Sequence, residues 1–277
     1  MIKQILFPVD FSPSCVAIAD YVQRAAAIFG SRVTLLHVCD LQSHNGFELS
    51  VRSLQEIADE HWNIARSKID SFLKSEFPLT ECPRVLRSGD AAEQIVEAAS
   101  TGGFDLIIMP THAGRFRRML LGSTTAKVLN DADGPVLTTE HAEIIAPRPL
   151  EHREWVCAVD LNGDSKRVLE FVGHAAAAVG ARLSLVYVVE NSGLAAQHSR
   201  DEEEEAREHI GELQKSVGCE ATLLVVRGQV KDALLDAAQQ SRADVLIIGR
   251  PQFKALGRMR DFTYGVVRDS PFPVLSL

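Results

Sequence analysis

The chain has 277 residues, 46% apolar and 24% charged, with a formal net charge of -8 at pH 7. That length holds two domains of ordinary size, and the composition is that of a globular protein. The acidic balance, with no long basic stripe, argues against a nucleic-acid partner. No apolar run approaches the length that spans a bilayer.

The N-terminus, "MIKQILFPVDFS", meets Pro8 and Asp10 too early for a signal peptide. The five cysteines, Cys15, Cys39, Cys82, Cys157 and Cys219, form no C-x-x-C pair and are odd in number. A disulfide framework or a zinc site is therefore not expected, and the chain reads as cytoplasmic.

Apolar β-rich runs alternate with helical patterns. The predicted strands of the first half are Lys3–Val9, Arg32–Val38, Arg84–Arg87, Leu106–Met109 and Val136–Thr139. The predicted helices are Pro13–Phe29, Leu49–Glu76, Ala91–Ser100 and Thr124–Asp131. "LIIM" is apolar on both faces, as buried parallel strands are. Strand–helix alternation implies right-handed crossovers and a doubly wound sheet. Glu140–Glu154, with two prolines and mixed charge, reads as a linker with the boundary near Pro147. The expected domains are 1–146 and 147–277.

The second half repeats the first. "FPVDFS" returns as "CAVDLN", "RAAAIFG" as "HAAAAVG" and "RVTLLHV" as "RLSLVYV", all offset by 150 positions. "FDLIIMP" and "ADVLIIG" are offset by 139, so the second copy is about 11 residues shorter between its second and third strands. A period this long is a duplicated domain rather than a solenoid. The second set of strands is Trp155–Val159, Leu183–Val189, Thr222–Val226, Val245–Ile248 and Val274–Leu277.

In an open parallel sheet, ligands bind beyond the carboxyl ends of the strands. In the first copy Val9 and Asp10, Val38, and Met109, Pro110 and Thr111 stand at those ends. Gly114 and the helix start Gly122-Ser123-Thr124-Thr125 follow. A carboxylate at Asp10 can accept from an amino or hydroxyl group, and the backbone near Val38 can pair with a base edge. A helix start rich in glycine and hydroxyls can hold phosphate through its unpaired N–H groups. The same stretch also reads as an ordinary Ser N-cap on a core helix. In the second copy the corresponding residues are Asp160, Val188, Gly249, Gly257 and Arg258, a poorer phosphate site because no hydroxyl follows Gly257.

The tandem layout, the "VD" after strand one, the "PTH…LLGS" loop and the closing "GPVL" resemble the universal stress protein family over nearly the whole chain. The resemblance implies two α/β Rossmann-like domains, each with a five-stranded parallel sheet of order 3-2-1-4-5. It also implies binding of ATP or AMP, the former with or without Mg2+, through a G-x-x-G-x9-G-[ST] loop. Family dimers form through the last strand, so an intra-chain pseudo-dimer is expected, with a homodimer as the alternative. The short apolar closing strands would otherwise be exposed edges.

The loop departs from the family pattern. Pro110 and Ala113 stand at its first two glycine positions, and eight residues, not nine, separate Ala113 from Gly122. The second copy begins with Gly249 but has Gln252 at the second position. "TGGFD" at Thr101–Asp105 resembles the loop of ATP pyrophosphatases but precedes a strand instead of following one, which excludes that reading. No nucleophile–base set or metal cluster suggests an enzyme beyond a slow ATPase. Two functions remain: a nucleotide-binding stress regulator, and a nucleotide-free interaction module of the same fold.

Overall fold

A computed structural model describes residues 2–39, 51–111, 121–139, 153–161, 165–190, 198–250 and 258–277, without the side chains of 51–55, 57, 198–200 and 258–260. The chain divides into two compact units, Ile2–Arg148 and Pro149–Leu277. The predicted boundary near Pro147 lies outside the described residues.

Unit 1 runs β1 (Gln4–Pro8), α1 (Pro13–Ala17), α2 (Ala19–Phe29), β2 (Arg32–Cys39), α3 (Val51–Ser71), β3 (Arg84–Ser88), α4 (Ala91–Thr101), β4 (Leu106–Pro110), α5 (Ser123–Asp131) and β5 (Val136–Thr139). Its strands are parallel in the order β3-β2-β1-β4-β5, as predicted. Residues Leu106–Met109 of β4 and all of β5 are buried, so these strands carry no polar face. That is why β4 runs apolar without alternation, while β5 buries Thr138 and Thr139 after Val136 and Leu137.

Unit 2 runs β6 (Glu154–Ala158), α6 (Ser165–Val179), β7 (Arg182–Val189), α7 (His198–Val217), β8 (Thr222–Arg227), α8 (Val230–Gln240), β9 (Val245–Ile248), α9 (Arg258–Asp269) and β10 (Val274–Ser276). Its parallel order β10-β9-β6-β7-β8 is the same topology. Gly30 closes α2 at φ +64 and Gly180 follows α6 at φ +71. Both occupy the left-handed region that glycine enters without a Cβ penalty, which lets each chain turn directly into its second strand.

Among the described residues, two helices differ from the sequence expectation by more than one residue. The helix predicted over Pro13–Phe29 breaks at Ile18, at φ -93 and ψ 0, into α1 and α2. The long helix predicted to reach Glu76 stops at Ser71, and Leu73 adopts φ +50. Side chains from elsewhere gather the chain there: Arg84 donates to the carbonyls of Phe72 (3.3 Å) and Phe77 (2.6 Å), and Gln23 to that of Glu76. These carbonyls have left the helix and need donors from elsewhere.

The residue before β4 does in unit 1 what its repeat does in unit 2. The Asp105 carboxylate accepts the N–H groups of Lys3 (2.7 Å) and Gln4 (3.0 Å), fastening the start of β1. Asp244 accepts those of Arg153 (2.8 Å) and Glu154 (3.0 Å) at the start of β6. Replacing Asp105 with Ala is expected to destabilise unit 1 by about 1–3 kcal/mol, the scale of charge-assisted bonds lost at a partly buried site. Urea unfolding reads this as a lower midpoint for unit 1 than in the wild type. An unmoved midpoint would mean that water replaces the carboxylate at no cost.

Candidate functional site

A cavity of about 240 Å³ opens in unit 1 at the carboxyl ends of β1, β2 and β4. The β1 end contributes Pro8, Val9 and Asp10, with Cys15 from α1. The β2 end contributes Leu36, His37 and Val38, and β4 contributes Met109 and Pro110. Ala91 and Ile95 of α4 form one wall, and Gly122, Ser123, Thr124 and Thr125 at the start of α5 form another. The location follows from topology: β2 and β4 flank β1 on opposite sides, so the crossovers part there.

The floor is a hydrogen-bonded turn. Val9 donates its N–H to Leu36 (2.8 Å), and its carbonyl lies 2.8 Å from His37 Nδ1. A carbonyl only accepts, so Nδ1 carries the proton of that bond. Burial lowers the His37 pKa, ahead of the opposing effect of the bond to Val9, so the ring favours its neutral form. Asp10 Oδ1 accepts the Ser12 N–H (2.9 Å) and the Cys15 thiol (3.2 Å). Burial, and then the Asp10 charge, push the Cys15 thiol up to about 12. Cys15 therefore stays protonated and serves as a donor to Asp10, not as a nucleophile.

Phe11 follows at φ +64, uncommon for a residue with a side chain. Its ring lies 4.2 Å from the His37 ring and 5.2 Å from that of Phe72, and Lys68 Nζ sits 4.5 Å over it. These contacts hold the turn that presents Asp10.

At the opposite wall the N-cap of α5 is Gly122, at φ -59 and ψ 140, and no side chain among the described residues caps the helix. Ser123 is therefore the first helical residue, not the capping serine that the sequence allowed. Gly122 donates its N–H to Thr111 (3.0 Å) and accepts from Ala126 (2.8 Å). The Thr125 hydroxyl donates to the Pro110 carbonyl (3.1 Å), joining the helix start to the end of β4. An uncapped helix start on a cavity wall offers N–H groups and a partial positive charge to an anion.

The predicted residues Val9, Asp10, Val38, Met109, Pro110, Gly122, Ser123, Thr124 and Thr125 thus line one cavity. Thr111 does not line it. Thr111 is buried, and its N–H and hydroxyl both donate to the Thr139 carbonyl (3.2 and 3.1 Å). Gly114 lies outside the described residues. Cys15, Ala91 and Ile95 were not singled out from the sequence as site residues. The signal available was slight: Cys15 is one of five scattered cysteines, and Ala91 and Ile95 stand four apart on the predicted helix Ala91–Ser100.

Unit 2 builds the corresponding place differently. Val159 donates to Val186 (3.0 Å), as Val9 does to Leu36. Asp160 Oδ1 lies 2.5 Å from the hydroxyl of the buried Ser165, which stands where unit 1 has Cys15. Tyr187 replaces His37, and its pKa is raised by burial and then by Glu202, Asp160 and Glu205. Val188 is half-buried beside it. Gly249 directly follows β9, and a Cβ there would meet Val168 Cγ2 at 3.4 Å. Arg250, at the position of Thr111, is buried and donates its N–H to Leu277 (2.5 Å).

The helix registers also differ. Asp131 stands five residues before Val136, and Asp269 five before Val274. Counted back from there, the buried Thr263 falls on the buried Thr125, and Asp261 falls on Ser123. Arg258 opens α9 nearly one turn earlier, and Gly257 lies outside the described residues. At the level where unit 1 offers serine, unit 2 offers a carboxylate.

The family model of the universal stress protein family matches residues 1–139 and 153–277. The chain belongs to that family, as a tandem member with two repeats. It is 28% identical over 155 residues to the universal stress protein MJ0577 of Methanocaldococcus jannaschii, an alignment spanning 50% of this chain and 96% of that protein. It is 30% identical over 134 residues to the Na(+)/H(+) antiporter NhaS5 of Synechocystis, covering 46% of this chain and only 16% of the antiporter. Among solved structures, a universal stress protein from Archaeoglobus fulgidus superimposes with a TM-score of 0.68 at 20% identity, covering 99% of this chain and 95% of that one. That likeness establishes the fold. No helix among the described residues is long and apolar enough to cross a membrane.

Proposed function

We propose that unit 1 binds an adenine nucleotide, ATP or AMP, and that the protein is a nucleotide-responsive stress regulator. One observation carries this reading: a single cavity has Asp10 and Val38 at one side and the uncapped start of α5 at another. Asp10 would accept a ribose hydroxyl, the Val38 backbone would face the base edge, and Ser123 and Thr124 would meet the phosphates. Mg2+ would enter with a triphosphate, since no cluster of metal ligands occurs among the described residues. The closing-strand pairing, within the chain or between two chains, belongs to the same reading.

A nucleotide-free interaction module is the second reading, favoured by Pro110. Proline has no N–H to offer a phosphate at a position where the family loop has glycine. Mass spectrometry of the purified, then denatured, protein separates the two. The nucleotide reading expects ATP, ADP or AMP to be released. No released nucleotide and no binding at millimolar ATP would establish the interaction module instead.

A further inference from the structure

Beside the cavity, α4 and α5 are joined by an ion pair: Lys127 Nζ lies 3.0 Å from Asp90 Oδ2. Asp90 is also the N-cap of α4, its Oδ1 accepting the N–H groups of Ala92 (3.0 Å) and Glu93 (3.1 Å). The next residue, Ala91, lines the cavity. On α5, Lys127 stands four residues after Ser123, which also lines the cavity. Residues four apart share a helix face, so the lysine stem rises from the face that begins at the phosphate wall. Its ammonium is thus held between the two helices, bonded to the residue before Ala91 and one turn along α5 from Ser123, both of which line the cavity.

The pair is weakly held. Its side chains are 57% and 40% exposed, and exposed ion pairs contribute little to stability. A polyphosphate beside Ser123 would carry more negative charge than one carboxylate and would compete for the same ammonium. Glu93 and Asp131 also act on Lys127, and Asp90 raises its pKa, so it remains a cation throughout the working pH range.

Unit 2 lacks this arrangement. Gln229 caps α8 where Asp90 caps α4, without a side-chain bond, and Gly265 occupies the position of Lys127. The two helices are joined there by Lys231 of α8 and Asp269 of α9 at 2.7 Å, with the lysine on the other helix. The helix that begins at the cavity in unit 1 therefore carries the lysine of the ion pair in that unit, whereas in unit 2 the lysine is on the other helix.

We propose that Lys127 sets the phosphate-length preference of unit 1. A triphosphate draws its ammonium away from Asp90, whereas a monophosphate ends short of it and leaves the Asp90–Lys127 pair closed. This rests on the nucleotide reading given above and adds a preference for ATP over AMP, with Asp90 as the competing ligand of the lysine.

Titration calorimetry on the full chain, in magnesium-free buffer at low salt, tests it with AMP and ATP. Lys127→Met is expected to weaken ATP roughly threefold to tenfold, the scale of one partly exposed charged contact, and to leave AMP within about twofold. Asp90→Asn keeps an acceptor for the α4 cap but frees the lysine, so it is expected to strengthen ATP binding about two- to threefold. The ATP affinity of Lys127→Met should also depend less steeply on salt than that of the wild type. Equal effects of Lys127→Met on AMP and ATP, or no effect on either, would overturn the role of Lys127 while leaving nucleotide binding intact. A wild type that binds neither nucleotide would overturn both.

Discussion

Replacing Gly122 with Phe is expected to lower the nucleotide affinity of unit 1 by about a hundredfold or more while the unit stays folded. Gly122 sits at φ -59 and ψ 140, a conformation open to any L residue, so the substitution introduces no backbone strain. Its backbone bonds to Thr111 and Ala126 survive, since neither uses a side chain. The ring would occupy the space through which a phosphate approaches the N–H groups of Ser123 and Thr124. Two lost hydrogen bonds to a charged group, at about 1.5–3 kcal/mol each, amount to at least a hundredfold. Calorimetry on a variant with unchanged circular dichroism decides it. Undiminished affinity would remove the α5 start from the site.

The repeat and its topology were legible because buried parallel strands leave long apolar runs, and because the strands of unit 1 recur in unit 2, at an offset of 150 for the first two and about 139 for the rest. The cavity wall was legible for a related reason: topology alone assigns Asp10, Val38 and Met109 to the carboxyl ends of β1, β2 and β4. Local turn chemistry was less visible. Nothing in "PSCVAIADYV" announces the break at Ile18. The early end of α3 depends on Arg84, which is distant in sequence and reaches back to Phe72 and Phe77.

The correspondence of α9 to α5 was also hidden. "LGRMRDFT" invites alignment of Gly257 and Arg258 with Gly122 and Ser123, because glycine is the conspicuous letter. Counting from the closing strand instead sets Asp261 on Ser123. Asp105 was visible only as the end of a rejected motif. Its repeat at Asp244, one residue before β9, was the available signal that it is a structural clamp.

The Asp261 register gives the second large effect, a marked inequality between the two units. Asp261 lies in the first turn of α9, where a carboxylate satisfies the helix dipole itself and repels a second anion. Glu202, Glu205 and Asp160 lie close enough to raise the Tyr187 pKa, so the strand-end side of unit 2 is acidic as well. Without the serine, and with a carboxylate in its place, unit 2 is expected to bind ATP at least about a hundredfold more weakly than unit 1.

The central claim is that a duplicated fold retains one nucleotide site, in unit 1. Equilibrium dialysis of the full chain against labelled ATP measures it directly. Saturation is expected at one ATP per chain, abolished by Gly122→Phe. Two equal sites per chain, or a single site that survives Gly122→Phe, would contradict it.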